Sequence, residues 1–219
     1  MPRSKKTHTK FTERPAPRHL RRLQQTRQKV AAEAARIIAT EGQHNYHSAK
    51  KKAAERIGVS DRLALPSNIE VKDALRTYQE LYGGAAHQEN IERLRQTAIK
   101  AMQLLDAFNP RLVGAVLDGT ANAHSRVALH VFAESVESVI LFFLERDVPF
   151  KQEQRQIRWH NGEHRIVPLV LSELDGQVVE LAIFNEVDLR QAPPSPIDGK
   201  PQRRAALHEV EYLLAERIA

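Results

Sequence analysis

Residues 109–134, NPRLVGAVLDGTANAHSRVALHVFAE, decide the fold. Before Asn109-Pro110 every apolar pattern repeats near 3.6 residues. After it the pattern turns to strands. Pro110 holds Asn109 away from helical geometry, so a helix ends there. Leu112–Leu117 is a short apolar run, read as a first strand. Arg126–Phe132 alternates: Val127, Leu129 and Val131 fall on one face, and Arg126, Ala128, His130 and Phe132 on the other.

Outward toward the C-terminus, Ser135–Arg146 reads as an amphipathic helix carrying Val139, Leu141, Phe142 and Phe143. Three extended runs follow, 150–159, 164–174 and 177–184. Asn161-Gly162 and Asp175-Gly176 separate them, and both pairs accept positive φ at two successive positions, so a three-strand meander with tight hairpins is expected. Residues 190–202, RQAPPSPIDGKPQ, form a loop, and a last helix is expected over about 203–217. Outward toward the N-terminus, Ile91, Leu94, Ala98, Met102, Leu105 and Phe108 form one helical stripe. Gly83-Gly84 separates it from a helix capped by Ser67, with Ile69, Leu75, Tyr78 and Leu81. Ser48–Ile57 before Gly58, and about Arg18–Thr40 with Leu20, Leu23, Val30, Ala34, Ile37 and Ile38, complete the helices. The expected organisation is α+β: a basic tail over 1–18, read as disordered, a helical domain over 19–108, and a mixed-sheet domain over 109–219.

The composition suits a globular chain, with 42% apolar and 27% charged residues among 219. Cysteine is absent, which excludes disulfides, thiolate metal sites and cysteine nucleophiles, and fits a cytoplasmic location. No apolar run approaches the roughly 18 residues that span a bilayer, so no membrane partner is expected. The N-terminus has no apolar segment after its cations and is not read as a secretory signal. The net charge of +6 is lopsided. Residues 1–30 hold ten Lys or Arg and one acid, a net +9, leaving −3 for the rest. Such a leader is either solvated or a contact for DNA or RNA.

The stretch from Asn109 to Glu134 resembles the nucleotidyltransferase superfamily, which includes the polymerase-beta-like and minimal nucleotidyltransferases. The whole chain also looks like uncharacterised bacterial proteins with a helical half before such a domain. The resemblance implies a Gly-Ser turn approaching phosphates, an acidic pair two apart on a strand, and a third acid on a later strand. Those carboxylates hold the Mg²⁺ ions that clamp a nucleoside triphosphate. In this sequence Gly114-Ala115 takes the Gly-Ser place and Ser125 precedes the pair. The pair falls on Arg126 and Ala128, or on Ala128 and His130 if the register shifts by two. Neither choice gives a carboxylate pair. Glu180 takes the third position, opposite in alternation to Val179 and Leu181, and is the candidate catalytic acid. Mg²⁺ is implied only if transfer activity survives.

Other groups have a plain reading beside a chemical one. Asp118-Gly119-Thr120 is a phosphate loop or a simple turn. His124, His130 and Glu180 are a candidate transition-metal set or a hydrogen-bonded group. His160 and His164 flank the Asn161-Gly162 turn. Arg190, Arg203 and Arg204 border the Pro193–Gly199 loop and either close over an anion or begin the last helix. EAARIIATEG followed by SAKKKAAERIGVSD loosely resembles the start of a TetR-type helix-turn-helix. This makes Lys50, Lys51 and Lys52, with Arg21 and Arg22, the candidate nucleic-acid contacts, the alternative being a solvated lysine face. The expected function is a nucleotidyltransferase-fold protein with a degenerate metal site that binds nucleotide or nucleic acid. The alternatives are a non-enzymatic nucleic-acid-binding regulator and an antitoxin-like protein-interaction module.

Overall fold

A computed structural model describes residues 18–43 and 45–216; the tail expected to be disordered lies almost wholly outside them. Four helices come first: α1 (Arg18–Glu41), α2 (Tyr46–Ile57), α3 (Asn68–Tyr82) and α4 (Gly84–Leu104). Their ends follow local chemistry. Asn45 Oδ1 accepts from the His47 and Ser48 N–H groups at the start of α2, and Gly58 closes it with φ +76°. Ser67 and Glu70 form a reciprocal capping box on α3. Val30, Ala34, Ile37 and Ile38 of α1 pack with Ala49 and Ala53 of α2 and Val71 and Leu75 of α3. The first part of the expected α1 stripe stays outside this core, since Leu20 is exposed and Leu23 half-buried.

The α+β half runs β1 (Arg111–Val113), α5 (Gly114–Asp118), β2 (Val127–Phe132), α6 (Val136–Glu145), β3 (Phe150–Arg158), β4 (His164–Leu174), β5 (Gln177–Phe184) and α7 (Leu207–Ala215). The sheet order is β1-β2-β5-β4-β3, with β2 and β5 parallel and the other pairs antiparallel. The meander of β3, β4 and β5 is present as expected. One face of the sheet packs Val127, Leu129, Val131, Leu181 and Ile183 against Ile91, Leu94 and Met102 of α4, Val139 and Phe143 of α6, and Val210 of α7. Thus α4, which the sequence groups with the helices, shares its core with the sheet. Polar bonds also tie the two halves: Asn122 Nδ2 donates to Ile38 O at 2.6 Å and Gln79 Nε2 to Thr120 O at 2.9 Å.

Four local expectations are corrected. The strand expected over Leu112–Leu117 ends at Val113, because Gly114 turns the chain at φ +72° into one helical turn. The fourth helix stops at Leu104, and Phe108 lies in a separate one-turn segment, Asp106–Phe108. The last helix starts at Leu207, not 203. Leu112 and Ala205 exchange two backbone hydrogen bonds of 2.9 Å, which hold 203–206 extended along the sheet edge. At Asn161-Gly162 only the glycine has positive φ, +86°. The Trp159 N–H donates to Glu163 O, giving a three-residue loop rather than a two-residue turn. Asp175-Gly176, with φ +52° and +71°, is the tight hairpin expected.

Candidate functional site: an arginine-lined cleft

The sheet face opposite the helices carries its own apolar cluster, Phe132, Trp159, Val167, Leu169, Ala182 and Phe184. Pairing explains it: Phe132 stands beside Phe184 and Ala182 beside Leu169, so one parity of β2, β5 and β4 points the same way. Above it lies a cleft of about 780 Å³, walled by this face and by Pro193, Pro194, Pro196 and Gln202 of the proline-rich loop. The loop is fastened at three points. His160 shares a 2.8 Å hydrogen bond with Ala192 O, Gln202 N–H donates to Pro193 O, and Asn68 Nδ2 at the start of α3 donates to Pro196 O at 2.7 Å.

Glu180 is buried in this cleft, 6% exposed, next to Ala128 across the parallel pair. Both of its oxygens are engaged. Arg155 grips it in two-pronged fashion, Nη1 to Oε1 and Nη2 to Oε2, each at 2.8 Å, and Arg126 Nη1 adds a third contact of 3.2 Å to Oε2. Alternation with the core-facing Val179 and Leu181 puts Glu180 on the cleft side of β5. The guanidinium of Arg126 stands beside it where the resemblance implies a metal-holding acid. A Mg²⁺ ion needs several free oxygen donors. Among the described residues Glu180 is the only carboxylate lining the cleft, and it is committed to two cations, so this donor set does not fit Mg²⁺.

His130, 5% exposed, lines the cleft, and its Nδ1 accepts from Arg204 Nε at 3.0 Å. Burial first, then the charges of Arg204 and Arg155, push its pKa down to about 3. Burial likewise lowers Arg204 to about 10, and its guanidinium lies 4.9 Å from the Phe132 ring centre and 5.4 Å from that of Phe184.

The remaining expected residues divide. Gly114 lines the cleft, while Ala115 is exposed on the first turn of α5. Asp118 is outside it, in an ion pair of 2.7 Å with Lys72 of α3. Ser125 and Asn122 hydrogen-bond each other in the turn before β2. Arg190 and Arg203 are exposed and do not line the cleft; Arg204 is the arginine that turns inward. The set His124, His130 and Glu180 is not assembled: among the described residues no three His, Asp or Glu side chains are grouped to hold a metal. His124 is exposed and lies by Gly42 at the end of α1. Of the lysine run, Lys52 pairs with Glu41 at 2.7 Å, Lys50 is half-buried with its pKa lowered by burial, and Lys51 is exposed. Arg21 and Arg22 are exposed on α1.

Sequence reading missed Arg155, Trp159 and the inward turn of Arg204. Arg155 shares its parity on β3 with Ile157, and that alternation was a usable sign. Its partnership with Glu180 depends on β4 lying between them, which only the sheet order shows. No family model matches the chain, and no curated protein sequence matches it.

Proposed function

We propose that the protein is a nucleotide-binding relative of the nucleotidyltransferases whose cleft takes the phosphates on arginine, without Mg²⁺ and without transferring a nucleotide. The observation that carries this is the Arg126–Glu180–Arg155 cluster. Two cations around one acid leave that end of the cleft positive. Arg126 gives Glu180 only Nη1, and Arg155 gives one N–H from each Nη, so the remaining guanidinium N–H groups are the donors for phosphate oxygens. The other end, with Trp159, Leu169 and Phe184 under the prolines, suits a flat, largely apolar ring. The cleft volume of about 780 Å³ lies in the range of small-ligand sites.

Isothermal titration with ATP, in Mg²⁺ and in EDTA, tests this. Binding of equal strength in both is expected, with a Kd on the order of 10–100 µM, or about 5.5–7 kcal/mol. Binding that requires Mg²⁺, or no binding up to about millimolar, overturns it. A second reading, nucleic-acid binding by the basic N-terminal segment, rests on the exposed Arg18, Arg21 and Arg22 at the start of α1, whose first turn holds no acid.

A further inference from the structure

We propose that His130, held in a single tautomer by Arg204, is the hydrogen-bond donor that recognises the uncharged part of the bound nucleotide. The proposal rests on the nucleotide reading of the cleft and adds which side chain reads the base or sugar.

The tautomer follows from the contact. A guanidinium has donors and no acceptor, so in the 3.0 Å bond from Arg204 Nε the histidine Nδ1 must supply the lone pair. The single proton of the neutral ring is then on Nε2. Arg204 cannot easily turn away. Its Nη1 donates to Asp188 O at 2.7 Å, and its guanidinium carbon sits over the rings of Phe132 and Phe184. The His130 ring is itself packed 4.6 Å from Phe184. Among the described residues nothing accepts a hydrogen bond from Nε2. That atom is also not one of the fully buried polar atoms without a partner, so it opens to the cleft.

Burial first, and then the surrounding charges, keep this donor uncharged. Arg204 approaches from the segment before α7, Arg155 from β3, and Arg111 is its paired residue on β1. Glu180 on β5 is the acid of the same cleft, but two arginines neutralise it. Asp188 offers its backbone carbonyl to Arg204 and pairs its side chain with Arg165 at 3.6 Å. Position completes the case. Ala128 stands beside Glu180 and His130 beside Ala182, so the histidine lies two residues along β2 from the arginine cluster, about 7 Å at strand spacing. A nucleoside phosphate bound with its phosphates on Arg126 and Arg155 brings a base or sugar acceptor to Nε2, against Phe184. A neutral donor there favours a carbonyl oxygen, ring nitrogen or hydroxyl. A second charge would instead add to the phosphate attraction.

Two measurements on the full chain test this. Nitrogen-15 spectra of the histidine rings without ligand at pH 6 are expected to show His130 neutral, with the proton on Nε2. An imidazolium, or the Nδ1–H form, overturns the proposal. Titrations with ATP and with inorganic triphosphate are then compared for the wild type, His130→Leu and His130→Gln. The expected result is about a tenfold loss of ATP affinity in His130→Leu, with inorganic triphosphate unchanged. In His130→Gln, which keeps an amide donor and an acceptor for Arg204, ATP affinity is expected within about threefold of wild type. A wild type that binds ATP alongside a His130→Leu that binds it as well, or that loses both ligands equally, overturns the proposal alone. A wild type that binds no ATP overturns the nucleotide reading and the proposal with it.

Discussion

His130 makes the fold sensitive to acid. Its folded pKa is pushed down to about 3 from an ordinary 6.5. Above pH 6.5 the ring is neutral in both folded and unfolded chains and contributes no pH dependence. Below 6.5 the unfolded ring takes up a proton that the folded ring refuses, so stability falls as pH drops toward 3. Between pH 6.5 and 5 the loss is about 2 kcal/mol, and thermal unfolding is expected at a lower temperature at pH 5. The variant His130→Gln should unfold at nearly the same temperature at both pH values; an undiminished drop would place the acid sensitivity elsewhere. The carboxylates with lowered pKa, Glu33, Glu41 and Glu70, lose their contributions only as pH falls through the carboxylate range. At this scale the sequence shows half of each pair. Alternation puts Glu180 and His130 on the cleft face. Their partners Arg155 and Arg204 lie 25 and 74 residues away and are joined to them only by pairing.

Among the elements, the two Asn/Asp-Gly turns separate what a dipeptide dictates from what the strands impose. Asp175-Gly176 links Leu174 and Gln177, which pair directly, so two left-handed residues close the hairpin. At Asn161-Gly162 the last pair is Arg158 with His164, and Trp159, packed in the cleft cluster, draws one more residue into the loop. Turn chemistry was legible in both cases; the register set by a buried tryptophan was not. Gly176 tests the first. Nothing lies within 4 Å of where a Cβ would stand, so Gly176→Ala meets no clash and its cost is the left-handed backbone alone. That cost is about 1 kcal/mol, read as a lower urea midpoint with an unchanged slope. A loss several times larger would mean that the hairpin bears on the cleft. By contrast, Asp175→Asn, which removes only the exposed 2.7 Å pair with Lys100, should change stability by less than about 0.5 kcal/mol. The extended start of the α7 region was hidden for a similar reason. Residues 203–206 suit a helix in isolation, and the bonds between Leu112 and Ala205 hold them to the sheet.

Over the whole molecule, charge and core are laid out separately, and this makes the basic N-terminal segment testable. The α1 core begins at Val30, which is fully buried, and the residues of α1 before it are exposed or half-buried. Shortening the chain by residues 1–17 therefore leaves the three-helix core and all of α1 in place. Removing 1–30 would cut into packing. Helix periodicity foretold where α1 runs but not that its first half stays outside the core, because that depends on how far α2 and α3 reach along it. The cations divide in the same way. Lys52 is paired and Lys50 half-buried, so under the proposed nucleic-acid reading the candidate phosphate contacts become the exposed Lys51, Arg18, Arg21 and Arg22 together with the leader. If these contact about five phosphates, the affinity for a labelled duplex oligonucleotide falls with salt at a log–log slope near −4.5. Deleting 1–17, which carries five of the cations, should at least halve that slope while leaving ATP binding unchanged, since the cleft is built from β1–β5 and the 190–202 loop. An unchanged slope would remove the leader from nucleic-acid contact. A parallel loss of ATP affinity would mean that the two surfaces are one.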